Sequence, residues 1–131
     1  MNVKAELNFL RISPRKVRLV TSLIQGMPVS DAFRQLSIIP KRSSMPIEKL
    51  LKSAVANAEH NFNLKADTLF VKEAIVNQGP VFKRFMPRAR GSAAMIRKRT
   101  SHVRIVLAEA APKKAKAPKA KAVKKASAET K

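Results

Sequence analysis

Eight cationic side chains, Lys83, Arg84, Arg88, Arg90, Arg97, Lys98, Arg99 and Arg104, stand between Glu73 and Glu109 with no acidic residue among them. A guanidinium is a planar fork that holds a phosphate through two hydrogen bonds or lies flat on an unpaired base, whereas an ammonium is a point charge. The chemistry such a segment can do is recognition of a polyanion. The plainer reading is a solvated charged hairpin, but solvated surfaces mix signs, and eight like charges on a thin projection repel one another. Arginine dominates the middle of the segment, which suits folded RNA better than a smooth duplex. Phe82 and Phe85 lie beside these cations, and base stacking and cross-strand packing along the arm are both open to them.

A second, shorter basic cluster comprises Arg11, Arg15, Lys16 and Arg18. It is weaker as a signal, because basic runs are common on helices of basic proteins, and phosphate contact is the expectation for it. Catalysis would need a nucleophile, a base or a metal site. The chain offers two histidines, His60 and His102, each remote in sequence from a partner, and no cysteine. His60 closes a helical AVANAEH stretch and reads as a helix-terminating or backbone-bonding residue rather than a catalytic one, while His102 reads as a contact to RNA or to its hairpin neighbours. No GxxxxGK[ST], GxGxxG or HExxH stretch occurs, so nucleotide cradling and zincin chemistry lack a motif. The expectation is no catalytic centre, no metal and no cofactor.

The whole chain supports a polyanionic partner. Lys and Arg number 28 against 8 Asp and Glu, a net charge of +20 over 131 residues. Eight lysines and only Glu129 fall in residues 111–131, which leaves 20 basic against 7 acidic residues before them. A basic tail on a neutral domain would suggest a tether, whereas a basic body implies that the folded surface itself meets phosphate. No apolar run approaches the roughly 18 residues of a membrane-spanning helix, and the N-terminal stretch lacks the apolar core of a signal peptide. With no cysteine to form disulfides, a soluble, unprocessed chain in a reducing cytoplasm is expected, with no membrane partner. The length suits one hydrophobic core.

The elements that position these residues follow from periodicity. Val3, Ala5, Leu7 and Phe9 alternate with Lys4, Glu6 and Asn8, which predicts a half-buried strand over 2–9. Ser13-Pro14 predicts a capped helix starting at about Pro14, with Val17, Val20, Leu23 and Ile24 on its apolar face and Gly26 as C-terminal cap. Arg15, Lys16 and Arg18 crowd its first turns, where the helix dipole disfavours cations by a few tenths of a kcal/mol each unless an anion is near. A second short helix, capped by Ser30 and carrying Ala32, Phe33 and Leu36, ends at Pro40. The clearest helix follows Ser43-Ser44 and Pro46, with Ile47, Leu50, Leu51, Ala54, Val55, Ala58 and Phe62 tracing one face. Residues 67–77 and 102–107 predict two further strands, the latter with Val103, Ile105 and Leu107 set against His102, Arg104 and Val106.

Between those strands lies GPVFKRFMPRARGSAAMIRKRTS, too long for a tight turn and not composed like an ordinary loop. Residues 80–87 and about 93–101 are expected to pair as legs of a hairpin with its tip near Pro87–Gly91. At ~3.3 Å per residue, such legs span roughly 30 Å. From Ala111 the composition shifts to Lys, Ala and Pro, which predicts a disordered tail over 111–131. The expected organisation is a single RNA-binding domain over 1–110, including the extended hairpin at about 80–101.

GPVFKRFMPRARGSA followed by IRKRTSHVRIVL, with ISPRKVRLV and LLKSAVANAEHN upstream, closely resembles the bacterial large-subunit ribosomal protein L-twenty-two family over roughly residues 3–109. The resemblance implies an α+β fold, three helices packed on a small three-stranded antiparallel sheet, with a long protruding β-hairpin. It implies a structural constituent of the large ribosomal subunit that binds large-subunit rRNA and supports assembly. The hairpin, here Phe82, Lys83, Arg84, Phe85, Met86, Pro87, Arg88, Ala89, Arg90 and Gly91, would line the nascent-peptide exit tunnel. The rRNA-binding set implied is Arg11, Arg15, Lys16, Arg18, Lys83, Arg84, Arg88, Arg90, Arg97, Lys98, Arg99 and His102. Implied partners are large-subunit rRNA, neighbouring large-subunit proteins and, transiently, the nascent polypeptide, with no homo-oligomer. Ser92 departs from the family pattern, which more usually has Arg after the tip glycine, and the tail from Ala111 lies outside the family core.

The rival from another class is an architectural, DNA-bending protein, which also pairs a helical body with a basic β-arm carrying a proline or apolar wedge. Such arms act in symmetric pairs and need a large apolar dimer face. The apolar stripes here are already used by one core. An RNA-modifying or cleaving enzyme is the third alternative and would require His60 or His102 to be essential.

Overall fold

Alternation, proline placement and helical spacing resolve into six main elements. The computed structural model describes residues 2–109, and the tail expected to be disordered, 111–131, lies outside the described residues. In chain order they are β1 (Asn2–Leu10), α1 (Pro14–Ile24), α2 (Val29–Ile38), α3 (Ser44–Phe62), β2 (Leu69–Pro87) and β3 (Ala93–Glu109). The sheet is antiparallel with order β1-β3-β2, so the last strand is central. Three helices pack on this sheet, the α+β architecture expected.

Register explains the core. Val3, Leu107 and Val71 lie in one row across the sheet, Ala5, Ile105 and Ala74 in the next, and Leu7, Val103 and Val76 in a third. Directly opposed residues share a face, so these rows form one apolar surface. Against it α1 sets Val17, Val20 and Ile24, α2 sets Ala32 and Leu36, and α3 sets Ile47, Leu51, Ala54 and Ala58, all buried. Burying each of the larger side chains stabilises the fold by about 1.5–3 kcal/mol.

Several local expectations are corrected. Ser13 does cap α1, but with its backbone: its carbonyl accepts from Lys16 N–H (3.0 Å) and Val17 N–H (3.2 Å), and its side chain makes no cap bond. Ser30 lies inside α2, whose N-cap is Pro28, because Val29 is already buried at the first helical position. Leu23 and Phe62, assigned to apolar faces, are exposed. His60 sits in the last turn of α3, and the stop is made by Asn63 in the left-handed conformation (φ 52°), with Leu64 N–H returning to Ala58 O at 3.2 Å. Val106, expected on the polar face, is buried, since the central strand is flanked there by both Lys4 and Glu73, whose stems can shield it.

Phe9 departs most. The ladder slips between Leu7 and Leu10, and Phe9 takes φ 58°, so its side chain leaves the core face and is 61% exposed. A bulge of this kind re-aims one side chain without unpairing the strand. A second slip, between Gln78 and Val81 on β2, lies at the same level of the sheet. Beyond it, β2 and β3 continue alone as a two-stranded arm. The two strands and two hairpin legs expected from the sequence are therefore two continuous strands, each running from body into arm.

Candidate nucleic-acid interface

Between Asn77 and Arg99 no residue is buried, whereas Val76 and Thr100 on either side are. That contrast marks where the body ends. The ladder pairs Val81 with Arg99, Phe82 with Lys98, Lys83 with Arg97, Arg84 with Ile96, Phe85 with Met95, Met86 with Ala94 and Pro87 with Ala93. The leg from Asn77 to Pro87 measures on the order of 35 Å. The tip is a short 3-10 turn, Ala89–Gly91, closed by Arg88 N–H donating to Ser92 O at 2.9 Å. Arg90 (φ 57°) and Gly91 (φ 69°) are both left-handed there, which costs an arginine about 1 kcal/mol or more.

Pairing sets the chemistry of each arm face. Phe82, Arg84 and Met86 share one face with Lys98, Ile96 and Ala94, while Lys83 and Phe85 share the other with Arg97 and Met95. Both faces interleave cations with exposed apolar groups, Phe85 being 68% exposed. Lys83 stands directly opposite Arg97, and like charges so placed destabilise a ladder. The ion pairs among the described residues are Arg34–Asp31, Lys52–Glu48 and Arg104–Glu6. Arg104, one of the eight cations read as uncompensated, is thus paired with Glu6 at 2.6 Å. Its position on the body sheet brings it opposite β1, which no local reading of β3 shows. The other seven have no such pair among the described residues.

At the arm root the first basic cluster meets the second. Arg11 lies over the Phe82 ring, its guanidinium carbon 5.8 Å from the centroid, at the outer reach of a cation–π contact. An open groove of about 640 Å³ is lined by Arg11, Ser13, Phe82, Arg84, Arg97, Lys98, Arg99 and Thr100, none of them acidic. Arg15 and Lys16 are exposed on the first turn of α1, which carries no acidic residue. Arg18 is used within the body: its Nε and one terminal nitrogen donate to Val76 O at 3.3 and 2.9 Å. Arg88 and Arg90 stand apart at the tip.

His102 faces neighbouring strand residues. Its Nδ1 lies 3.3 Å from Phe9 N, where the neutral tautomer protonated at Nε2 accepts the N–H, and 3.0 Å from Asn8 Oδ1, to which the other tautomer donates instead, and its ring meets Phe9 edge-on at 4.8 Å. Beside it, Thr100 Oγ donates to Pro80 O at 2.7 Å and Ser101 Oγ to Ile12 O at 3.1 Å. A Cβ added at Gly79 would lie 2.5 Å from Thr100 Oγ and 3.0 Å from His102 Nε2. Gly79 therefore lets β2 pass close over this node. Sequence reasoning singled out neither Gly79 nor Asn8, and the only signal available was a glycine interrupting a strand pattern. Among the described residues no group of three or more His, Cys, Asp or Glu could hold a metal, and no helix is long and apolar enough to cross a membrane.

Comparison with known proteins bears on this geometry. The family model described as Ribosomal protein L22p/L17e matches residues 5–108. A "Large ribosomal subunit protein uL22" of Macrococcus caseolyticus is 54% identical over 109 residues, covering 83% of this chain and 88% of the relative. Its namesake in Chloroflexus aggregans is 50% identical over 109 residues, 83% of this chain and 96% of the relative. That of Desulfitobacterium hafniense is 54% identical over 106 residues, 81% and 93% respectively.

Proposed function

The chain belongs to the ribosomal protein L22p/L17e family, and from this premise we propose that it is a structural constituent of the large ribosomal subunit in the cytoplasm. It binds large-subunit rRNA, supports assembly and lines the nascent-peptide exit tunnel with its arm. Residues 1–110 act as one RNA-binding unit. Its partners are large-subunit rRNA, neighbouring large-subunit proteins and, in passing, the nascent polypeptide. The protein works as a scaffold and carries out no turnover.

The observation that carries this reading is Lys83 held directly opposite Arg97 on an arm with no buried residue. Such an arm gains nothing from a core and is opposed by its own charge, so it needs an external polyanion to lie against. Phosphates on Arg11, Arg15, Lys16, Lys83, Arg84, Arg88, Arg90, Arg97, Lys98 and Arg99 supply that compensation. Arg18 and His102 contribute differently, by holding the strands from which the arm springs.

Sedimentation of lysate carrying a tagged copy through a sucrose gradient, before and after a moderate salt wash, tests the assignment. Salt-resistant comigration with the large subunit is expected. A tag that stays with the nucleoid, or a stable dimer bound to duplex DNA, would sink it in favour of a DNA-bending role.

A further inference from the structure

We infer that the groove at the arm root is a clamp for one unstacked nucleotide of RNA, with the base on Phe82 and its phosphates on Lys98 and Arg84. The inference rests on the proposed RNA-binding function and specifies how one part of the surface would perform it. Phe82 is 40% exposed and lies outside the core, so once Arg11 moves aside a ligand can reach its ring without any cost to the core. Lys98 is its direct cross-strand partner, and Arg84 lies two residues along the same face. The ring is therefore bracketed by cations on both strands of the arm. Ser13 adds a hydroxyl to the lining, and no carboxylate is present to repel phosphate. A volume of about 640 Å³ falls within the ~300–1,000 Å³ of small-molecule sites.

Arg11 forms the movable wall. The Arg11 guanidinium carbon lies 5.8 Å from the Phe82 ring centroid. Arg11 is exposed, so it can swing aside to admit a base and then lay its planar group on the second face of that base. A paired base keeps both faces within its own helix and cannot enter. The clamp thus selects bulges, loops and ends, the places where bases are free to stack on protein rings.

The test uses the full-length chain and two RNA stems that differ only by a single unpaired 2-aminopurine bulged from one of them. At about 200 mM salt, where binding through phosphates alone has weakened, the bulged stem binds roughly tenfold tighter than the paired one. Its 2-aminopurine fluorescence is quenched on binding. Phe82→Leu, which keeps the apolar volume and removes the ring, brings the bulged stem down to the affinity of the paired stem and abolishes the quench. Phe82→Trp retains both. Equal binding of the two stems by the unaltered chain, or a preference that survives Phe82→Leu, overturns the clamp while RNA binding stands. Failure to bind either stem overturns the RNA-binding function as well.

Discussion

At the scale of single residues, the node under the arm is held by atoms with no slack. Gly79 has nowhere to put a Cβ, because the short Thr100 side chain is buried and committed to Pro80 O. Gly79→Ala should destabilise the chain by about 1–3 kcal/mol, read as a lowered denaturation midpoint. In a Thr100→Ala background the same substitution should cost less, since the nearest obstacle has gone, and the double-mutant cycle measures that coupling. His102→Ala leaves the Phe9 N–H without its ring-nitrogen acceptor at a position already strained by φ 58°. A loss of about 0.5–1 kcal/mol is expected, since the exposed N–H can turn to water, together with faster hydrogen exchange of the Phe9 amide. Exchange unchanged from the parent protein would show that the histidine does not hold the bulge.

At the scale of elements, body and arm divide the work. The body depends on α3, where Leu51 is fully buried, so Leu51→Ala should cost about 2–5 kcal/mol in chemical denaturation. The arm should tolerate far more. Replacing residues 82–98 by a two-residue turn removes no buried side chain, and the body should still melt cooperatively, within about 5 °C of the full-length chain. A non-cooperative melt would show that the arm props the core. Arg88→Ala with Arg90→Ala, at the tip, should likewise spare the fold while weakening the arm's protection of rRNA in footprints of assembled subunits. If that footprint is unchanged, the tip cations do not dock the arm.

At the scale of the whole molecule, with a net charge of +20, the proposed association with RNA should be steeply salt dependent. Each phosphate neutralised contributes about −0.7 to −0.9 to the slope of log K against log salt, so Lys83→Ala with Arg97→Ala should flatten that slope by about 1.4–1.8. An unaltered slope would mean that neither cation meets phosphate. While the three-stranded antiparallel packing was implied by the family resemblance, the main helices and strands, the α3 stripe from Ile47 to Ala58, the arm and its basic character were legible along the chain. These are legible because helical spacing, strand alternation and the lack of acids between Glu73 and Glu109 are properties of neighbours along the chain. The helix starts were read less well, since serine offers two ways to cap and only packing chooses between its hydroxyl and its carbonyl. What the tertiary structure alone decided are the contacts between remote segments. They are Arg104 on Glu6, Arg18 on Val76 O, Phe9 turned out to meet His102, Gly79 beneath Thr100, and Arg11 brought over Phe82. Each depends on which register three strands adopt and where their ladders slip, and a one-residue slip moves a side chain to the opposite face.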